Sequence, residues 1–280
     1  MSSSLSKIAS VTAFSLSVIC CLAQNVAAQT KSNAQQSEQK QRIKAHDSVT
    51  VTANFTPEEI EEGKLNDIYQ PISSLERNGD CDVAIQRYES EVLPAAEKAK
   101  FDVPRNKFLF LTNRGIGNCL LKQQHFQEAE QRFQKIMEYL PVWPGTDDSD
   151  YPINLRQIGT AQMGQQHWEA AEESLKKSLS VADPQIDKAL KSDFEFTRTE
   201  HAGFLHGSQA RTTAYLAIVY VREGRITDAL ATADLAYERA TQPHIPAAFL
   251  KEIVKLGGLV AQASNDENAI RKWSTRNRSD

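Results

Sequence analysis

The stretch NRGIGNCLLKQQHFQEAEQRFQKIMEYLP, residues 113–141, decides the fold. Ile116 and Leu120 stand at helical spacing in its first half. Phe126, Ala129, Phe133 and Ile136 do so in its second half, and the polar run Lys122-Gln123-Gln124-His125 separates the two. That pattern predicts two short antiparallel helices joined by a tight turn. Such helices approach closely only where side chains are small, and Gly117 and Ala129 offer one small residue on each. Pro141 cannot continue the second helix, because it lacks the N–H and clashes with the preceding turn.

The same register recurs. Residues 155–184 carry Leu155, Ile158, Gly159, Trp168, Ala171, Leu175 and Pro184. Residues 213–243 carry Leu216, Ala217, Tyr220, Gly224, Ile226, Ala229, Ala233, Ala236 and Pro243. Weaker copies lie upstream (Ile72, Leu75, Gly79, Cys81, Ala84, Tyr88) and downstream (Ile253, Leu256, Gly257, Val260, Ala269, Trp273). Taking Gly117 as place 8 of a 34-residue unit, small residues fall at 8 and 20. Large apolar residues fall at 7, 11, 17, 24 and 27, and proline at 32. This resembles the tetratricopeptide repeat family over roughly residues 60–275.

The resemblance implies an all-α fold of stacked antiparallel helical hairpins, a TPR-like α-solenoid with a disordered N-terminal lead. Hairpins are expected near 60–95, 110–141, 152–184, 208–243 and 247–276, within a repeat domain spanning 56–280. Worn end repeats are expected, since each has a neighbour on one side only. The spacing departs from the family. Place 8 falls at Ile72, Gly117, Gly159, Ala217 and Gly257, in steps of 45, 42, 58 and 40 residues. The extra segments are longer second helices or loops, and the largest occupies 185–208.

The first 28 residues read as a secretory signal peptide: Lys7, then a largely apolar run from Ile8 to Ala23, then Val26-Ala27-Ala28 before the cut. Val18 and Ile19 before Cys20 and Cys21 are too bulky for a lipid-anchor site, so no lipidation is expected. The reading is an exported protein, periplasmic or secreted. Residues 29–55 form a disordered or extended tether rich in Gln, Lys, Ser and Asn, with a β-prone Ser48–Thr52. No other stretch is apolar enough to span a membrane. Thr56-Pro57-Glu58-Glu59 is a helix start with a capping box. Pro71 is expected to kink or split the helix that follows.

Removing residues 1–28 takes away one lysine and no acid, leaving 31 basic against 36 acidic side chains. A net charge of −5 carries no electrostatic footprint for nucleic acid. Cys81 and Cys119 remain. Cys81 would open the second helix of the first hairpin and Cys119 would lie late in the next first helix, at the same level. An oxidising compartment permits a disulfide between them; two small buried side chains are the other reading.

In the resembled family, ligand peptides lie in a groove lined by first helices at places 2, 5, 6, 9, 12 and 13. Here those places include Arg114, Asn118 and Lys122; then Arg156, Gln157, Thr160 and Met163; then Arg211, Tyr215 and Arg222. The resemblance therefore implies a protein or peptide ligand, acidic in character, because arginine grips carboxylates through a planar fork. Trp168, Phe126, Phe133 and Tyr88 read as core. His125 and His167 fall in turns, and His201 and His206 in the insertion lack the spacing of metal ligands. Asp147–Asp150 reads as an acidic linker, with Trp143 and Tyr151 pinning its ends. No metal or cofactor motif and no catalytic signature is found, so the expectation is a non-catalytic interaction or scaffold protein of the cell envelope. The alternatives are an exported enzyme, with its site in 185–208 or at the chain ends, and a structural subunit packing laterally in an envelope complex.

Overall fold

The computed structural model describes residues 55–140 and 150–277. The signal segment, the tether up to residue 54, Pro141, Trp143 and Asp147–Ser149 lie outside the described residues. Among the described residues every regular element is helical, and no helix is long and apolar enough to cross a membrane. The chain divides into two compact units on either side of residue 145.

The N-terminal unit opens with α1 (Pro57–Asn78). The expected capping box is present: Glu59 N–H donates to Thr56 Oγ1 at 3.2 Å and Thr56 N–H to Glu59 Oε2 at 2.7 Å. Pro71 does not split α1, which runs on to Asn78. The missing N–H removes one hydrogen bond, while Leu65, Tyr69 and Ile72 keep both sides of the proline anchored by burial. The return helix comprises α2 (Cys81–Arg87), a π-helical turn (Tyr88–Val92) and α3 (Leu93–Glu97). Then α4 (Asp102–Lys122) and α5 (Phe126–Tyr139) form the hairpin of the opening stretch, ending before Pro141.

The C-terminal unit pairs α6 (Asp150–Gly164) with α7 (Trp168–Leu190), α8 (Ala202–Arg222) with α9 (Ile226–Ala240), and α10 (Ala247–Ser264) with α11 (Glu267–Arg276). The second helix of the first of these pairs does not end at Pro184. It continues to Leu190, and a π turn (Thr197–His201) leads directly into α8. The long step in the register is therefore mostly helix. Ile186, Ala189, Ala202 and Leu205 form a small apolar cluster there, while Phe194 and Phe196 stay exposed.

One hinge recurs in the tight turns. His125 N–H bonds Leu120 O at 2.9 Å, His167 N–H bonds Gln162 O at 2.9 Å, Arg225 N–H bonds Tyr220 O at 2.8 Å and Asp80 N–H bonds Leu75 O at 3.0 Å. The residue before each donor is left-handed: Gln124, Gln166, Gly224 and Gly79. These are Schellman closures, which satisfy the last carbonyls of the first helix while reversing the chain.

The crossings lie where the register put them. A β-carbon at Gly117 would stand 2.7 Å from Phe133 Cε1, and one at Gly159 would stand 2.9 Å from Leu175 Cγ. At Gly257 it would stand 2.2 Å from Trp273 Cη2. Each pair sets place 8 of a first helix against a large side chain of its partner. Phe133 and Tyr88 are buried as expected, but Trp168 and Phe126 are only half-buried. Both begin a second helix, at the turn end, where no further turn covers them.

Candidate functional site

In the N-terminal unit the polar side chains converge on Glu76, near the C-terminus of α1. Tyr88 Oη donates to Glu76 Oε2 at 3.0 Å and Asn118 Nδ2 to Glu76 Oε1 at 3.2 Å. Lys122 Nζ donates to the Glu76 carbonyl at 3.0 Å. Burial, first, holds the Tyr88 hydroxyl in its neutral form, and the neighbouring Tyr69 and Glu76 add to it. The Arg114 guanidinium lies 4.8 Å from the Phe110 ring centroid. Gly115 makes the convergence possible, because a β-carbon there would meet Tyr88 and Glu76 Oε2 within 3 Å.

In the C-terminal unit the first helices α6, α8 and α10 bring together Arg156, Ser208, Arg211, Tyr215 and Glu252. Arg211 Nε donates to Glu252 Oε2 at 2.8 Å, and Arg211 Nη2 donates to the same oxygen. Tyr215 Oη donates to Glu252 Oε1 at 3.3 Å. Arg211 also stacks on Phe249, 4.7 Å from its centroid. Phe249 approaches α8 over Gly207, where a β-carbon would stand 2.5 Å from its ring. Arg156 Nη1 donates to Ser208 Oγ at 2.6 Å, but its buried Nε has no acceptor and no carboxylate pairs with it among the described residues. Glu252 thus pairs with Arg211 and not with Arg156.

The electrostatics follow. Arg156 is 6% exposed, and desolvation brings its value down to about 10, with repulsion from Arg211 adding to that. Burial, then the charge of Glu252, pushes the Tyr215 hydroxyl up. An uncompensated buried cation is costly unless something anionic arrives.

The residues expected at the groove separate into several settings. Arg156, Arg211 and Tyr215 meet, but they are buried and Arg211 already has an acid, so they do not stand as free groups on an open face. Thr160 Oγ1 bonds its own helix at the Arg156 carbonyl, and Met163 is buried. Gln157 is half-buried on α6. Arg222 sits eleven residues beyond Arg211, about 16 Å along α8, with its guanidinium 5.5 Å from the Trp168 ring centroid. Asn118 and Lys122 serve the Glu76 cluster in the other unit, where Arg114 stacks on Phe110. Sequence reasoning missed both acids. Glu76 occupies place 12 counted from Ile72, a groove place, so a signal existed. Glu252 falls one place away from the groove set, and its only mark was that it follows Lys251 as one of two charges inside the otherwise apolar run Phe249–Val254. His125 and His167 lie in the turns as expected, while His201 ends the π turn and His206 is on α8.

No protein-family model matches the chain, and no curated protein matches its sequence. Solved structures do. BtubC (BKLC) from P. vanneervenii is similar over 91% of this chain and 90% of its own, with 14% identity and a TM-score of 0.58. A kinesin light chain-like protein of Podosopora anserina, with nearly identical TPR-like repeats, is similar over 78% of this chain and 95% of its own. Its identity is 13% and its TM-score 0.52. A single-substitution variant of that protein gives 0.53. Hairpin register, recurrent turn and these likenesses agree: the chain has the tetratricopeptide-like repeat fold.

Proposed function

We propose that this protein is a non-catalytic adaptor of the cell envelope that binds an acidic segment of a partner protein through the first helices of its C-terminal unit. The carrying observation is Arg156, a buried cation with a free Nε and no acid, beside an Arg211–Glu252 pair that already uses the one carboxylate present. One added carboxylate would balance the second guanidinium and accept from the idle N–H. Arginine's planar fork favours a carboxylate over a spherical anion. The TPR-like fold, commonly used for protein–protein contacts, agrees with this reading. Export rests on the signal-like residues 1–28.

The test is titration of the full chain with an acidic peptide, its neutral amide analogue and a basic control, read by calorimetry. Binding of the acidic peptide alone is expected. Arg156→Gln should weaken it by about tenfold or more, the weight of one charge-assisted hydrogen bond, without lowering the melting temperature. Equal affinity for all three peptides, or full affinity in Arg156→Gln, would overturn the assignment.

A further inference from the structure

Cys81 and Cys119 face each other where α2 packs on α4. Cys81 is the first residue of α2 and is 5% exposed; Cys119 lies in the last turn of α4 and is fully buried. Neither is bonded covalently, and the two thiols influence each other's ionisation. Cross-helix bonds bracket the pair. Gln123 Nε2 donates to Asp82 Oδ1 at 2.6 Å on one side. Asn118 and Lys122 hold Glu76 on the other, at 3.2 and 3.0 Å. The left-handed turn at Gly79 sets where α2 begins. The two sulfurs are thus held opposite one another by contacts that do not involve them.

We propose that Cys81 and Cys119 are a redox-responsive pair that closes into an intramolecular disulfide when the protein meets a disulfide oxidant, stapling the first hairpin to α4. The roles of the two sulfurs differ. The neighbouring Cys119 thiol draws Cys81 below the ordinary thiol value, whereas Cys119 is raised by Cys81 and by burial. Cys81, the more exposed of the two, attacks first. Its thiolate takes one sulfur of the oxidant, giving a mixed disulfide and releasing one oxidant thiolate. Cys119 then loses its proton to that thiolate and attacks Cys81 Sγ, expelling the second oxidant sulfur, which takes up the proton Cys81 gave to water. Two chain thiols lose two electrons and one oxidant disulfide gains them. The bond closes a 39-residue loop, residues 81 to 119. That removes freedom from the unfolded chain and clamps the helix ends that carry Glu76, Asn118 and Lys122.

The experiment equilibrates the full chain with excess oxidised glutathione, blocks free thiols with N-ethylmaleimide in denaturant and maps tryptic peptides by mass. The expected product joins peptide 78–87 to peptide 115–122, two mass units below their sum. The oxidised protein should melt about 5–15 °C higher than the reduced one, a shift abolished by Cys81→Ser and by Cys119→Ser. Recovery of both peptides with maleimide, with glutathione, or bonded to Cys20 or Cys21 overturns the proposal. So does the joined peptide without a change in melting temperature, since the bond would then staple nothing.

Discussion

Gly117 shows how much one missing side chain can organise. Phe133 fills the space that a β-carbon would need, so Gly117→Leu must displace a fully buried ring. The expected loss is about 1–3 kcal/mol of unfolding free energy, the range for overpacking a tight core, read from denaturant melts. Arg156 is the opposite case, a side chain whose presence is costly. The fall of its pKa from the ordinary arginine range to about 10 corresponds to a penalty of about 3 kcal/mol. The bond to Ser208 offsets part of it. Arg156→Met should therefore stabilise the free protein by about 1–2 kcal/mol, while removing acidic-peptide binding. The sign with pH follows. The folded state binds fewer protons than the unfolded chain above about pH 10, so Arg156's penalty is full at neutral pH and eases as pH rises past about 10. In Arg156→Met that segment of the pH–stability curve should flatten. Glu252→Gln would leave two buried guanidinium groups without an acid, and a loss of about 3–5 kcal/mol is expected in the same melts.

At the scale of elements, helix ends carry much of the specificity. The amide N–H groups of Lys100 and Phe101 precede α4 and donate to the Glu61 carboxylate of α1, each at 3.0 Å. These bonds hold Glu61 below its ordinary value. A depressed acid contributes stability above about pH 4.5 that is lost as pH falls through the folded value. Glu61→Gln should make the acid limb of the unfolding curve followed by circular dichroism slightly shallower than in the wild type, the remainder being set by Glu59, Glu91 and Glu172, which are also held low. An unchanged acid limb would mean that other carboxylates set it. The capping box at Thr56 and the turn after Lys122 were legible in the sequence, because both depend on neighbours along the chain. The passage of α1 through Pro71 and of α7 through Pro184 was not. Proline's local penalty reads directly from sequence, whereas the burial of Tyr69 and Ile72, or of Ala182 and Ile186, that outweighs it is tertiary.

At the scale of the molecule, the register of small and large residues specified the hairpins, their order and the all-α class. It did so because helix crossing distance depends on side-chain size at two or three places per repeat. The turn at His125 and the place of Gly117 at a helix crossing could be written down from residues 113–141 alone, whereas its contact with the Phe133 ring came from the packing. The chemistry of the site could not. Arg156, Arg211 and Tyr215 were visible as first-helix polar residues, yet nothing in the register reveals that Glu252, about forty residues beyond Arg211, neutralises one arginine and leaves the other. Cys81 and Cys119 likewise had matched levels in sequence, but their contact depends on Glu76, Asn118 and Gln123 bridging separate helices. Local spacing fixes which face of a helix a residue occupies, since 3.6 residues make a turn. Packing of one hairpin on the next fixes what that residue meets, and charge balance and thiol contact arise there.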